Sequence, residues 1–323
     1  VNTGWEMALE VQGQLLKQTT GPHWRTMCEH WLRNRDAKYG RHAMLPSAHA
    51  LDIAHEVVAE AEPIFVTEEM LSLTRMAMET FDPKEEVHHS DFFLPSGMAL
   101  LEKPFVALDA EGLETAWSAV TWRCVELPPE ASPDLVPVPS LEIILWWDVS
   151  VSDGWDEAHP EAIEFGRKLY SSWGMRYAVM HATLVPFDFM SKPQHVSNEG
   201  DPAASWLTFV RVFNKLLQER IVLKTRMRPH RAVRRRVERD GLAEVKDVVV
   251  CELRRARPRG YEWPESGEAE SQHLSHRFMV RGHWRNQRYP SLKQHKQKYV
   301  LPYIKGPDDA PFLEKKRVWV WDR

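Results

Sequence analysis

Cysteine is scarce in this chain of 323 residues, with Cys28, Cys124 and Cys251 odd in number and far apart. That spacing excludes a disulfide framework and a paired-cysteine zinc site, and each thiol is expected to be a small buried group. No stretch approaches the roughly 18 uninterrupted apolar residues of a membrane span. Val1 to Lys17 has no basic leader followed by an apolar core. The expectation is a cytoplasmic protein with no membrane partner. Also missing are a Gly-x-x-x-x-Gly-Lys-Ser/Thr phosphate loop, a dinucleotide Gly-x-Gly-x-x-Gly and a Gly-x-Ser-x-Gly elbow. Nucleotide-driven and serine-hydrolase chemistries are disfavoured, and no cofactor is implied.

The most informative absence is of carboxylates near the C-terminus. Between Ser271 and Pro307 there is no Asp or Glu. The net charge of −4 conceals this, because residues 1–200 carry 14 Lys and Arg against 31 Asp and Glu, and residues 201–323 carry 28 against 15. The halves are therefore −17 and +13. A half so basic fits a polyanion partner, since Lys and Arg gain affinity for phosphate by releasing its counterions. The alternative is intramolecular: the acidic half packs on the basic half and neutralises it.

Periodicity indicates an α+β protein with a helical N-terminal region, a mixed or antiparallel sheet, an amphipathic helix pair and C-terminal antiparallel strands with a basic face. Composition divides it into an acidic, mostly helical part (1–90), an α/β part (91–200) and a basic part (201–323). Thr67 before Glu68 and Glu69 is an N-cap signal. Short strands are expected at Phe92 to Gly97, Met98 to Leu101 and Phe105 to Leu108. Trp117 to Val125 alternates, Ile143 to Trp147 suits a central strand, and Tyr177 to Val185 has strand character. Pro160 opens a helix. Trp206, Phe209, Val210, Phe213, Leu216, Leu217 and Ile221 form the strongest helical stripe, and an arginine-rich helix follows Pro229 until Gly241 ends it. Val248 to Leu253, Tyr299 to Ile304 and Val318 to Trp321 read as strands. Between Phe278 and Arg285 apolar and basic residues alternate, so Arg277, Arg281, His283 and Arg285 are expected to point together, away from Phe278, Val280 and Trp284.

That alternation makes nucleic acid, RNA or DNA, the expected partner, with Arg231, Arg235, Arg277, Arg281, His283, Arg285, Arg288, Tyr289 and Lys298 as binding residues. Cations meet phosphates, and interleaved Trp and Tyr rings stack bases of a single strand. The same segment holds the residue types of a metal-independent ribonuclease or host-directed toxin: His283, His295 and Tyr289 for proton transfer, and Arg285 and Lys293 for phosphorane charge. A third expectation is an effector whose acidic N-terminal half engages a host protein. Asp148 and Glu244-Val245-Lys246 loosely resemble a magnesium-nuclease arrangement, but that lysine precedes its apolar run instead of lying within it. His88, His89 and Asp91 lack a further ligand at motif spacing, so they read as a loop entering a strand and no metal site is expected.

The stretch Trp206 to Gly241, the run Ser275-His276-Arg277-Phe278-Met279-Val280-Arg281-Gly282-His283-Trp284-Arg285-Asn286-Gln287, and Tyr303-Ile304-Lys305-Gly306-Pro307 carry a resemblance. In these residues, and more loosely at Leu94 to Gly97, the chain resembles a family of proteins encoded by actinobacteria, their phages and mobile elements. The resemblance implies a phage or mobile-element context. No activity is attached to that family, so no functional residue is carried over.

Overall fold

The computed structural model describes residues 4–29, 52–82, 86–108, 114–127, 138–150, 160–187, 202–253, 278–289 and 294–305. By packing, the chain divides into one unit of Val1–Arg75 with Asp82–Leu253 and a second of Met76–Phe81 with Arg254–Arg323. The protein is α+β.

The first unit is organised by seven strands: β1 (Glu62–Val66), β2 (Ser96–Leu108), β3 (Glu114–Leu127), β4 (Val138–Asp148), β5 (Tyr177–Pro186), β6 (Val222–Met227) and β7 (Val248–Leu253), in the order β5-β4-β3-β2-β1-β7-β6. β1 runs parallel to both β2 and β7, and the other neighbours are antiparallel. A parallel neighbour requires a crossover. Helix α2 (Ala54–Glu60) precedes β1, α3 (Glu68–Met78) lies between β1 and β2 in the chain and α4 (Pro160–Trp173) between β4 and β5, and Thr67 Oγ1 accepts from Met70 N–H at 3.4 Å at the start of α3.

The helix α1 (Met7–Thr19) buries Ala8, Leu9, Val11, Leu15 and Leu16 in one cluster with Phe65, Met98, Leu100, Ala119, Ile144 and Trp146. Strand alternation turns the intervening residues to the other side of the sheet. There α5 (Pro202–Gln218) presents Phe209 and Phe213, whose rings stack at 5.8 Å. Phe213 meets Trp122 edge-on at 6.1 Å, while Phe209 lies 4.7 Å from Phe105 and 5.9 Å from Trp117. Trp117 and Trp122 both reach α5 although five residues separate them. The β2–β3 register shifts between Leu100 and Phe105, and this irregularity turns Trp117 onto the same side. Burying each such side chain contributes roughly 1.5–3 kcal/mol.

Several expectations were incomplete. The first 90 residues also contain β1, buried along nearly its whole length between β2 and β7 inside the sheet. A five-residue strand buried on both faces has no alternation to reveal it. The three short strands expected from Phe92 to Leu108 are one long strand beginning at Ser96, and Ile221 falls beyond the end of α5. β6 was not among the expected strands. The sheet runs through residues 90 and 200 alike, because its strands are assembled from distant parts of the chain. Val318 to Trp321 lie outside the described residues.

Burial pushes all three thiols up to about 12; for Cys28 the nearby Asp52 adds to the effect. Cys251 is buried, while Cys28 and Cys124 are only half-buried where full burial was expected, and at pH 8 all three folded thiols stay protonated. An aromatic disulfide reagent is expected to titrate three thiols only after unfolding, and rapid labelling of the native protein would contradict this. The same shift makes stability pH-dependent. Unfolded thiols ionise near 9 while folded ones keep their protons, so this contribution is full below pH 9 and falls as pH rises towards 12.

Among the described residues, no helix is long and apolar enough to cross a membrane.

Candidate nucleic-acid interface

In the second unit, β8 (Phe278–Val280) pairs antiparallel with β11 (Tyr303–Lys305), and β9 (His283–Tyr289) with β10 (Gln294–Val300). Every pair in the two ribbons keeps the same register, from Phe278 opposite Lys305 to Tyr289 opposite Gln294. They are therefore two stretches of one long hairpin, whose ladder lapses only where Arg281-Gly282 face Leu301-Pro302. Pro302 has no N–H to donate at that point. Because the register does not slip, alternation continues across the lapse.

One side of the hairpin is apolar. Trp284 lies opposite Tyr299 with ring centroids 5.2 Å apart, and Phe81 meets Trp284 edge-on at 5.8 Å. The indole N–H of Trp284 donates to the Ala77 carbonyl at 2.9 Å. Tyr299 is 2% exposed, and burial together with Glu79 raises its phenol above the ordinary value. Its ring covers Gly282, so closely that a Cβ there would lie 2.1 Å from the hydroxyl oxygen. Trp284 and Tyr299 are thus engaged in packing. The base-stacking role expected for this pair does not fit their positions.

The other side is basic. Arg281, His283 and Arg285 alternate onto it, and Lys298 joins them from the opposite strand as the cross-strand partner of Arg285. The His283 Nδ1 lies 3.1 Å from the Arg281 carbonyl oxygen. Arg285 Nη2 donates to Gln287 Oε1, and Gln287 in turn donates to the Arg288 carbonyl at 3.2 Å. Gln287 thus steadies Arg285, a role the charge pattern could not indicate, although a polar residue two positions along a strand shares its face. Among the described residues, Arg281, Arg285, Arg288 and Lys298 have no carboxylate partner. Two like charges opposite one another disfavour the hairpin itself, so Arg285 beside Lys298 is unexplained by folding.

The remaining candidates separate. Arg288 is exposed and alternates to the side away from His283 and Arg285. In register His295 stands opposite Arg288, and the residue opposite His283 is Val300; the side chain of His295 lies outside the described residues. Tyr289 stands opposite Gln294 at the end of β9, its side chain lies outside what is described, and Arg277 and Lys293 lie outside the described residues.

Arg231 and Arg235 belong to the first unit, on α6 (Arg231–Arg239), and both are exposed. That helix buries Val233 and Val237 against α1, where Gly13 admits Val237 so closely that a Cβ would lie 2.8 Å from its Cγ1. The buried Glu6 accepts from the His230 N–H at 2.9 Å, placing a carboxylate at the start of α6. Gly241, at φ 109°, follows the helix end.

Within the first unit, acids of the N-terminal half do meet bases of the C-terminal half. Arg236 pairs with Glu10 at 2.8 Å, Lys215 with Asp91 at 3.6 Å, and Arg226 with Glu62. The contrast with the uncompensated hairpin is the principal electrostatic feature of the described chain.

The residues of the magnesium-nuclease arrangement are engaged elsewhere and lie apart. Asp148 accepts from Arg176 Nη2 at 2.7 Å and Nε at 3.0 Å, and from the Ser150 backbone and hydroxyl. Lys246 donates to the Glu60 carbonyl at 2.6 Å, and strands β3, β2 and β1 separate β4 from β7. Asp91 accepts from the His88 N–H at 2.9 Å in a capping turn, and His89 packs on Phe187. Among the described residues, no group of three or more His, Cys, Asp or Glu is arranged to hold a metal.

No protein-family model matches the chain, and none of the curated proteins matches it. Among solved structures, it is similar to one titled "Crystal structure of AcrVA2", at TM-score 0.39 and 9% identity, covering 91% of this chain and 98% of that one. A likeness that weak carries no argument about function.

Proposed function

We propose that this protein binds nucleic acid through the hairpin face carrying Arg281, His283, Arg285 and Lys298, and that it is a phage-like or mobile-element accessory protein acting in the cytoplasm. The observation that carries the reading is the uncompensated charge: arginine stands directly opposite lysine, with no carboxylate partner for either among the described residues. Such an arrangement is unfavourable in the free protein and is relieved by a polyanion, whose condensed counterions are released on binding. The resemblance of the C-terminal residues to phage and mobile-element proteins supports the context.

The reading is tested by fluorescence anisotropy with a labelled oligonucleotide of arbitrary sequence at 50 and 200 mM salt. Affinity should fall steeply with salt. The combined Arg281→Ala and Arg285→Ala substitution should weaken binding about tenfold or more and flatten the log–log salt slope by roughly two, close to one per lost phosphate contact. Both residues are exposed, so the fold should survive. Unchanged affinity in that variant would remove the site assignment.

A further inference from the structure

Resting on the nucleic-acid reading but not on the hairpin's share in it, we infer that the outer face of α6, in the first unit, is a second phosphate-contacting surface for the same nucleic acid, carried by Arg231, Arg235 and Arg239. Residues 228–239 hold six arginines, no lysine and one acid, Glu238. Val233 and Val237 turn inwards, Arg236 is compensated by Glu10 at 2.8 Å, and Asp240, just past the helix, faces Lys17 at 3.7 Å. Arg228, Arg231, Arg235 and Arg239 are exposed, and none of them has a carboxylate partner among the described residues. Arg231, Arg235 and Arg239 stand four residues apart, so they form one row of roughly 12 Å along the helix. Arg239 Nε donates to the Arg235 carbonyl at 3.2 Å, which ties the last guanidinium back to the turn carrying the middle one.

Folding does not account for this row. Like charges four residues apart destabilise a helix, and Arg231 adds a cation at the positive end of the macrodipole, in a first turn that holds no acid. Alanine at the three positions would serve the helix better. A protein partner is not favoured either. Interfaces between proteins centre on apolar and aromatic groups, with charge depleted at the core, whereas the exposed neighbours of this row on α6 include Ala232 and Glu238 and no large apolar side chain. The guanidinium fork meets phosphate with two parallel N–H donors, and the exclusive use of arginine where lysine would carry the same charge fits that geometry. Contacts of this kind hold the backbone without reading a base, so the face adds affinity and no sequence preference. With α6 in one unit and the hairpin in the other, either set of cations can be removed while the other is kept.

The experiment uses the full chain and the same labelled oligonucleotide of arbitrary sequence, with affinity followed as salt is raised. The Arg231→Ala, Arg235→Ala and Arg239→Ala triple variant should bind about tenfold or more weakly, with a log–log salt slope reduced by roughly two to three. Its thermal midpoint should be unchanged or higher, because the like-charge row is gone. Arg236→Ala is the control on the same helix: Glu10 already holds that guanidinium, so affinity should stay within about threefold of the parent. Added to Arg281→Ala and Arg285→Ala, the triple substitution should weaken binding further by a similar factor. A triple variant that binds like the parent, or loses no more than Arg236→Ala does, would overturn the inference and leave the hairpin reading intact. A midpoint lowered by several degrees would assign the row to the fold and overturn the inference as well. Loss in the triple variant with none in the hairpin double variant would keep α6 as a site and remove the hairpin. Salt-independent or undetectable binding by the parent would overturn both.

Discussion

Gly97→Ala is expected to destabilise the first unit by about 3 kcal/mol, near the upper end of what overpacking a core typically costs. Gly97 is the cross-strand partner of Trp122, whose ring atoms are its nearest neighbours. A Cβ at this position would stand 2.4 Å from Trp122 Cζ2, 2.7 Å from Cη2 and 2.9 Å from Cε2, all of them atoms of a rigid ring. The ring has little room to yield. It is fully buried, meets Phe213 edge-on and donates its N–H to the Leu94 carbonyl at 3.1 Å. Displacing it disturbs α5, and a buried donor that loses its acceptor costs about 1–3 kcal/mol on its own. Equilibrium denaturation should show a lower midpoint with an unchanged slope. Trp122→Phe should cost several kcal/mol alone, yet should make the second substitution at Gly97 nearly harmless, because the smaller ring frees the space. A Gly97→Ala midpoint within about 0.5 kcal/mol of the parent, the scale of an ordinary surface change, would rule out this account of the glycine.

The sequence around these residues shows which parts of the architecture are legible in advance. The stripe Phe209, Val210, Phe213, Leu216 and Leu217 announces α5 because a helix with one buried face must repeat its apolar residues every three to four positions. Gly241 announces the end of α6 because positive φ favours glycine. β1 is silent: Ile64, Phe65 and Val66 are buried on both faces, and a run so short has no period. Ion pairs are silent for a different reason. Glu10 finds Arg236, and Glu62 finds Arg226, across separations that only the assembled sheet and helices close. Net charge by halves therefore suggested mutual neutralisation without saying where it stops. It extends through part of the first unit, and Arg285 and Lys298 are outside it.

The hairpin illustrates the same limit within a correctly located segment. Alternation from Phe278 to Arg285 separates basic from apolar residues whatever lies on either side. It is silent on whether Trp284 meets a base or a protein interior. The indole hydrogen bond to Ala77, from a part of the chain over 200 residues away, decides this in favour of the interior. Likewise, counting histidines gathers His283 and His295 into one constellation, while antiparallel register sets Val300 opposite His283 and His295 opposite Arg288. Residue types in a segment bound the chemistry available, and the parity of strand pairing determines which of them can act together.

The second large effect is expected at Gly282, where the hairpin depends on a close approach between its own two strands. Gly282→Ala would set a Cβ 2.1 Å from the Tyr299 hydroxyl oxygen, 2.8 Å from its Cζ and 3.1 Å from Pro302 Cδ. The hairpin must open or Tyr299 must leave the apolar side, and Trp284 loses its neighbour in either case. We expect amide exchange across β9 and β10 to accelerate by about two orders of magnitude, equivalent to about 3 kcal/mol of lost local stability. Nucleic-acid affinity should fall at least as far as in the Arg281→Ala and Arg285→Ala double variant, because the cations lose their common face. The hydroxyl supplies the internal control. It is buried and has no hydrogen-bond partner among the described residues, so Tyr299→Phe alone should be neutral or slightly stabilising. Combined with Gly282→Ala, it removes the nearest contact but leaves the ring carbon at 2.8 Å, so recovery should be partial and the two substitutions clearly non-additive. Strict additivity, or protection of the β9 and β10 amides unchanged in Gly282→Ala, would mean that the tyrosine does not hold the hairpin at this point, and the shared face of Arg281, His283 and Arg285 would need another cause.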